Sequence, residues 1–125
     1  MTATERQLRV LVVDDEPGMR ETLADILKAV GYDVMQAADG ETALAAIRTN
    51  AVDVVVMDVQ MPKRDGVSVL EELHPPPPIV IMMTAYAIEE RLRAAVDANA
   101  FAILHKPFSV RRLLSLVAQA SETAA

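Results

Sequence analysis

Apolar and polar positions follow two different periods along this chain, and the two kinds of stretch take turns five times. Residues 8–13 (LRVLVV), 33–37 (DVMQA), 52–57 (VDVVVM), 79–83 (IVIMM) and 101–104 (FAIL) are strand-sized and mostly aliphatic. Between them apolar residues recur at three and four: Leu23, Ile26, Leu27 and Val30; then Ile88, Leu92, Ala95 and Val96; then Val110, Leu113, Leu114 and Val117. That spacing winds one apolar stripe onto a helix. Pro17 suits the opening of the first helix and Gly31 its end, Asp39 precedes the second, and Ser109 stands where an N-cap would start the fifth. Strict strand–helix alternation predicts parallel strands joined by right-handed crossovers, hence a doubly wound five-stranded α/β sheet with five helices. Runs one, three and four are apolar nearly throughout, as strands covered on both faces are, whereas DVMQA alternates and suits an edge. The segment HPPPP at residues 74–78 cannot be helix interior and predicts a stiff extended loop into the fourth strand.

Length and composition narrow this picture. The 125 residues are enough for one core, expected over residues 8–120 of a single domain spanning 1–125 with no second folded unit. Only 3% are aromatic, namely Tyr32, Tyr86, Phe101 and Phe108, so the core must be aliphatic. Eighteen acidic against twelve basic residues leave a net charge of −6, and no Lys/Arg stripe offers a footprint for nucleic acid. Without cysteine there is no disulfide, thiolate nucleophile or cysteine-held metal. The polar start MTATERQLR has no apolar leader, and no apolar run approaches the roughly 20 residues of a membrane span. A cytoplasmic protein with no membrane contact is expected.

In a parallel sheet all strands end at one edge, and such folds put their sites there. Asp14, Asp15 and Glu16 follow the first strand, Asp58 the third, Thr84 the fourth, and Lys106 the fifth. Taken singly, an Asp-Asp-Glu run is a solvated turn or cap, and a threonine or lysine after a strand is commonplace. Their common position relative to the strands brings carboxylates, a hydroxyl and an ammonium into one crevice. Clustered carboxylates repel one another unless a cation neutralises them, and hard oxygen donors without histidine or cysteine favour Mg²⁺. Mg²⁺ beside a carboxylate, a lysine and a hydroxyl suits phosphoryl transfer, in which an aspartate can itself be the nucleophile. Chemistry alone leaves open which carboxylate would accept the phosphoryl group.

The segments LVVDDEPGMRETL (residues 11–23), AADGETAL (37–44), VVVMDVQMPKRDG (54–66), IVIMMTAY (79–86) and HKPF (105–108) resemble, in this order and spacing, a bacterial two-component response-regulator receiver domain. The resemblance covers about residues 8–120 and implies a flavodoxin-like strand order, 2-1-3-4-5. It makes Asp58 the phosphoacceptor. Asp15 would hold Mg²⁺ directly, Asp14 largely through water, and Asp58 with the backbone carbonyl of Gln60 would complete the protein ligands. Lys106 would pair with phosphoryl oxygens and Thr84 would hydrogen-bond one of them. The Lys106–Pro107 bond is typically cis in the family, and Gly66 would relieve a strained backbone position after the phosphoacceptor. The phosphoryl donor would be a histidine kinase or phosphotransfer protein. The switched face, formed by the fourth helix, fifth strand and fifth helix, would meet a downstream protein or a missing output domain.

The chain departs from the family at Ile103, the fifth-strand switch position, where the resemblance calls for Tyr or Phe. Phe101 falls two residues earlier on the same side of the strand and is weighed as a partial substitute for the missing ring, against core packing as its ordinary explanation. Asn99–Ala100 replaces the small–Gly pair usual before the fifth strand. Gln60 and Tyr86, two beyond Asp58 and Thr84, occupy positions that tune acyl-phosphate hydrolysis. The bulk of Tyr86 predicts a phosphorylated lifetime of minutes or longer. Two other functions are weighed against this signalling switch, which would catalyse only its own phosphorylation and dephosphorylation. A Mg²⁺-dependent aspartyl-phosphate phosphohydrolase would want an acid–base carboxylate where Gln60 stands, and a substrate cap. A flavin module would want a Ser/Thr/Gly-rich loop where DDEPG stands. Both a stand-alone receiver and the N-terminal part of a longer regulator are compatible with the sequence, the former slightly favoured.

Overall fold

Five parallel strands form the middle layer of the molecule, as the alternation predicts, in the order β2-β1-β3-β4-β5 that the resemblance implies. The computed structural model describes residues 7–73, 77–85, 93–95 and 98–124. Along the chain come β1 (Arg9–Val13), α1 (Pro17–Ala29), β2 (Asp33–Ala37), α2 (Gly40–Thr49), β3 (Val54–Asp58), α3 (Gly66–Glu71), β4 (Ile79–Thr84), β5 (Ala102–His105) and a C-terminal helix α4 (Val110–Ala124). Residues 93–95, within the fourth predicted helix, are also helical. Among the described residues no helix is long and apolar enough to cross a membrane. Ile88, Leu92, Val96 and most of the HPPPP segment lie outside the described residues.

The continuous apolar runs are explained by two cores, one on each face of the sheet. Alternate residues Leu11, Val13, Val55, Met57, Val80 and Met82 join one cluster with Leu44 of α2 and Val67 and Val69 of α3. The intervening Val10, Val12, Val54, Val56, Ile81 and Met83 join the other with Leu23 and Leu27 of α1 and Leu113 and Val117 of α4. Both faces of β1, β3 and β4 are dry, so period two vanishes from their sequences. β2 lies at an edge and its residues are mostly half-buried, as its alternation predicts.

Helix boundaries follow local chemistry. Pro17 opens α1, and the chain leaves that helix through Gly31 at φ 103, a left-handed conformation that costs glycine little. Asp39 caps α2 by accepting from the Thr42 N–H, and Ser109 Oγ accepts from the Arg112 N–H before α4. Val30 and Val110, assigned to apolar stripes by spacing, are exposed instead because each stands at a helix end, beyond the turn that touches the sheet. β5 begins one residue later than the FAIL pattern suggests, and β3 runs through Asp58.

Candidate functional site

The register of the central strands delivers chemistry to one edge. Val13 pairs with Met57 and Asp58 with Met83, so Asp14 emerges from β1 beside the end of β3. Thr84 ends β4 opposite His105, and the Lys106 N–H donates to the Thr84 carbonyl at 2.7 Å. The site thus straddles β1 and β3, where the strand order reverses and a doubly wound sheet opens its crevice. The Lys106–Pro107 peptide is cis, as the resemblance implies.

Burial at this edge is unusual for such polar groups. Asp14 is 1% exposed, Thr84 2% and Asp58 7%, whereas Asp15 is exposed at the mouth. Carboxylate oxygens of Asp14, Asp15 and Asp58 lie within 4.8 Å of one another. Lys106 Nζ stands 2.6 Å from Asp58 Oδ2 and 3.3 Å from Asp14 Oδ2, bridging the two buried acids. Burial pulls the Lys106 ammonium down, but the hydrogen bond and charge of Asp58, with the charge of Asp14, outweigh it and raise its pKa above the ordinary lysine value. Each buried carboxylate also accepts the amide two residues on: Glu16 N–H to Asp14 Oδ1 at 3.0 Å, Gln60 N–H to Asp58 Oδ1 at 2.9 Å. These bonds fix the rotamers of both acids before any ligand arrives. Three oxygen donors in reach of one point, with no nitrogen or sulfur donor among them, fit a hard divalent cation such as Mg²⁺.

The loop after Asp58 is held from several sides. The Gly66 N–H donates to the Val59 carbonyl at 2.8 Å, and a Cβ on Gly66 would lie 2.5 Å from the Asp58 carbonyl oxygen and 2.7 Å from Met82 Cε. Glycine is needed there for space against the backbone of β3, not for an unusual dihedral angle; the residue with positive φ in this loop is Lys63, at 67°. Arg64, which the sequence did not mark, ties the loop to α2 through Glu41 at 2.8 Å and to the end of α3 through Glu72. Its partners are 23 and eight residues away, so no local pattern could reveal them.

The remaining predicted positions are less uniform. Ile103 is half-buried, pairs with Met82 and packs against the cluster that includes Leu11, Met57 and Met82. Phe101 is 39% exposed rather than a core residue; its N–H donates to Val80 O, just before β5 begins. It thus lies about 6–7 Å farther from the site along the strand than Ile103. Gln60 is exposed next to Asp58. Tyr86 lies outside the described residues. Arg20, also unmarked by sequence reasoning, reaches the site's backbone: its Nη1 donates to the Asp14 carbonyl at 2.9 Å.

A doubly wound parallel sheet with a lysine-bridged acidic crevice at its switch point defines an α/β protein suited to hard cations and phosphoryl groups. The family model for the response regulator receiver domain matches residues 10–118. The chain is 38% identical over 112 residues to the transcriptional regulatory protein PdtaR of Mycobacterium tuberculosis, covering 87% of this chain and 54% of that protein. It is 41% identical over 105 residues to a gliding motility regulatory protein of Myxococcus xanthus, covering 81% of this chain and 14% of that one. The chain thus spans about half, or less, of the length of these curated relatives. A CheY-like receiver domain protein from Methanospirillum hungatei superimposes with a TM-score of 0.91 at 30% identity, over 95% of this chain and 97% of that one. The chain belongs to the response regulator receiver domain family of two-component signal transduction.

Proposed function

We propose that this receiver accepts a phosphoryl group on Asp58, aided by Mg²⁺, from a histidine kinase or phosphotransfer protein, and that the modification alters a surface read by a partner. One observation carries the reading: Asp58 is buried at the switch point with Lys106 Nζ 2.6 Å from one carboxylate oxygen and the Asp14 and Asp15 carboxylates beside it. An Asp58 oxygen forms a bond to phosphorus as the donor's P–N bond breaks, and the electron pair leaves with the imidazole nitrogen. Asp14, Asp15, Asp58 and the Gln60 carbonyl would hold Mg²⁺, which when bound neutralises charge gathering on the phosphoryl oxygens. Lys106 exchanges its carboxylate partner for a phosphoryl oxygen, and the Thr84 hydroxyl donates to another. The Asp58 amide contact from Gln60 keeps one oxygen oriented while the other reacts.

The same reading gives Gln60 and Tyr86 control over the attack of water on the acyl phosphate. The output surface comprises the fourth predicted helix, β5 and α4. Its partner is a downstream protein or an output domain of a longer regulator, and the setting is cytoplasmic. With an aliphatic side chain at Ile103, signalling there proceeds by repacking rather than by swinging a ring. The test is to incubate the protein with a small phosphodonor and Mg²⁺ and weigh it intact. A gain of one phosphoryl mass in the wild type that is absent in Asp58→Asn is expected. No gain in the wild type, or the same gain in the variant, overturns the assignment.

A further inference from the structure

Where β1 leaves the sheet, the chain must turn while keeping Asp14 buried and Asp15 at the mouth. The ladder stops at Val13, which pairs with Ala37 on one side and Met57 on the other. The Asp14 N–H still donates to the Ala37 carbonyl at 3.2 Å, and its carbonyl accepts from Arg20 Nη1 at 2.9 Å. Arg20 stands in the first turns of α1, with its own N–H on the Glu16 carbonyl, and its Nε donates to Gln36 Oε1 of β2 at 3.3 Å. One planar guanidinium therefore joins the end of β1, the start of α1 and the edge strand β2.

We infer that Arg20 is a positioning residue for the cation site: by holding the Asp14 carbonyl it sets the Asp14–Asp15 peptide, and with it the spacing of two carboxylates proposed to hold Mg²⁺. The inference rests on the function proposed above. The carbonyl Arg20 grips belongs to the very peptide that leads into Asp15. Rotation of that plane swings the Asp15 carboxylate away while Asp14 stays pinned by the Glu16 amide. A lysine would keep the charge, but its shorter, non-planar end cannot reproduce the fork by which Nη1 and Nε reach the Asp14 carbonyl and Gln36 Oε1 at once. The positive charge itself works the other way, because a cation near the site repels Mg²⁺. Positioning and charge therefore predict opposite signs when Arg20 is removed.

The measurement is calorimetric titration of the full chain with MgCl₂, without any phosphodonor, with melting temperatures in EDTA recorded alongside. Arg20→Ala is expected to weaken Mg²⁺ binding by about tenfold, in the range of other residues that orient metal ligands from outside. Arg20→Lys, which preserves charge and much of the aliphatic stem, is expected to lose most of the same affinity. At saturating Mg²⁺ both variants regain phosphorylation, as they would not if the reacting geometry itself were damaged. Affinity within twofold of the wild type in Arg20→Ala, tighter binding in it, or full retention in Arg20→Lys overturns the inference. If the wild type itself binds no Mg²⁺, the proposed function falls and this inference with it; a binding wild type with unaffected variants removes the inference alone.

Discussion

Gly66 bears directly on Asp58, the proposed phosphoacceptor. Its Cα faces the Asp58 carbonyl so closely that one added methyl group would sit 2.5 Å from that oxygen, with Met82 Cε at 2.7 Å on another side. The methionine end can swing aside, but the carbonyl belongs to the last residue of β3, paired to β4, and cannot move without displacing Asp58. Gly66→Ala is therefore expected to cost about 2–3 kcal/mol in urea unfolding, the upper range for overpacking, and to slow phosphorylation as well. A stability change below about 0.5 kcal/mol would contradict the close approach. The sequence marked Gly66 as special, but a lone glycine does not reveal whether it serves dihedral freedom or space. Asn99 is the converse case: a residue with a side chain, before β5, that takes φ 70, a conformation asparagine tolerates better than most residues. The acids and Lys106 were legible because each follows a strand, whereas Arg20 and Arg64 act through contacts between elements and carry no local signature.

Among the elements, α2 shows how charge and end geometry combine. Its cap Asp39 accepts from the Thr42 N–H at 2.8 Å, and hydrogen bonding from Thr42, reinforced by the charge of Lys63, holds the carboxyl below its ordinary value. A carboxyl depressed in the native state adds stability above its unfolded pKa and loses it as the pH falls through the native value. Asp39→Asn keeps a capping oxygen but cannot titrate. The wild type is thus expected to exceed this variant in urea midpoint at pH 7, with the gap shrinking as the pH is lowered through and below the ordinary aspartate range. A gap constant with pH would show that the charge contributes nothing. This cap, like Pro17 and Ser109, could be read from sequence because its partners lie within three residues. Helix ends exposed at Val30 and Val110 could not, since a spacing rule does not say where a helix loses contact with the sheet.

At the scale of the whole molecule, fold and site pull against each other. The sheet's two aliphatic cores explain why a parallel doubly wound sheet was legible from apolar runs and turn residues, the order 2-1-3-4-5 coming from the family motifs, while its crossovers concentrate like charges at one edge. Among the described residues three carboxylates within 4.8 Å face one ammonium, and Lys106 contacts Asp14 and Asp58 but not the exposed Asp15. At that separation a pair of like charges costs about 1 kcal/mol in water-like surroundings, and more toward the interior. Without divalent cation the cluster therefore destabilises the native state, and Asp15→Asn is expected to raise stability by about 1 kcal/mol in EDTA. Adding Mg²⁺ should reverse the ranking. A cation at a hundred times its Kd contributes about 2.7 kcal/mol to the form that binds it, and the variant, lacking a ligand, gains far less. Urea unfolding of both proteins in EDTA and in excess MgCl₂ measures all four values. Curves that shift equally with Mg²⁺ would show that Asp15 is not a ligand, and a variant less stable in EDTA would show that Lys106 already neutralises the cluster.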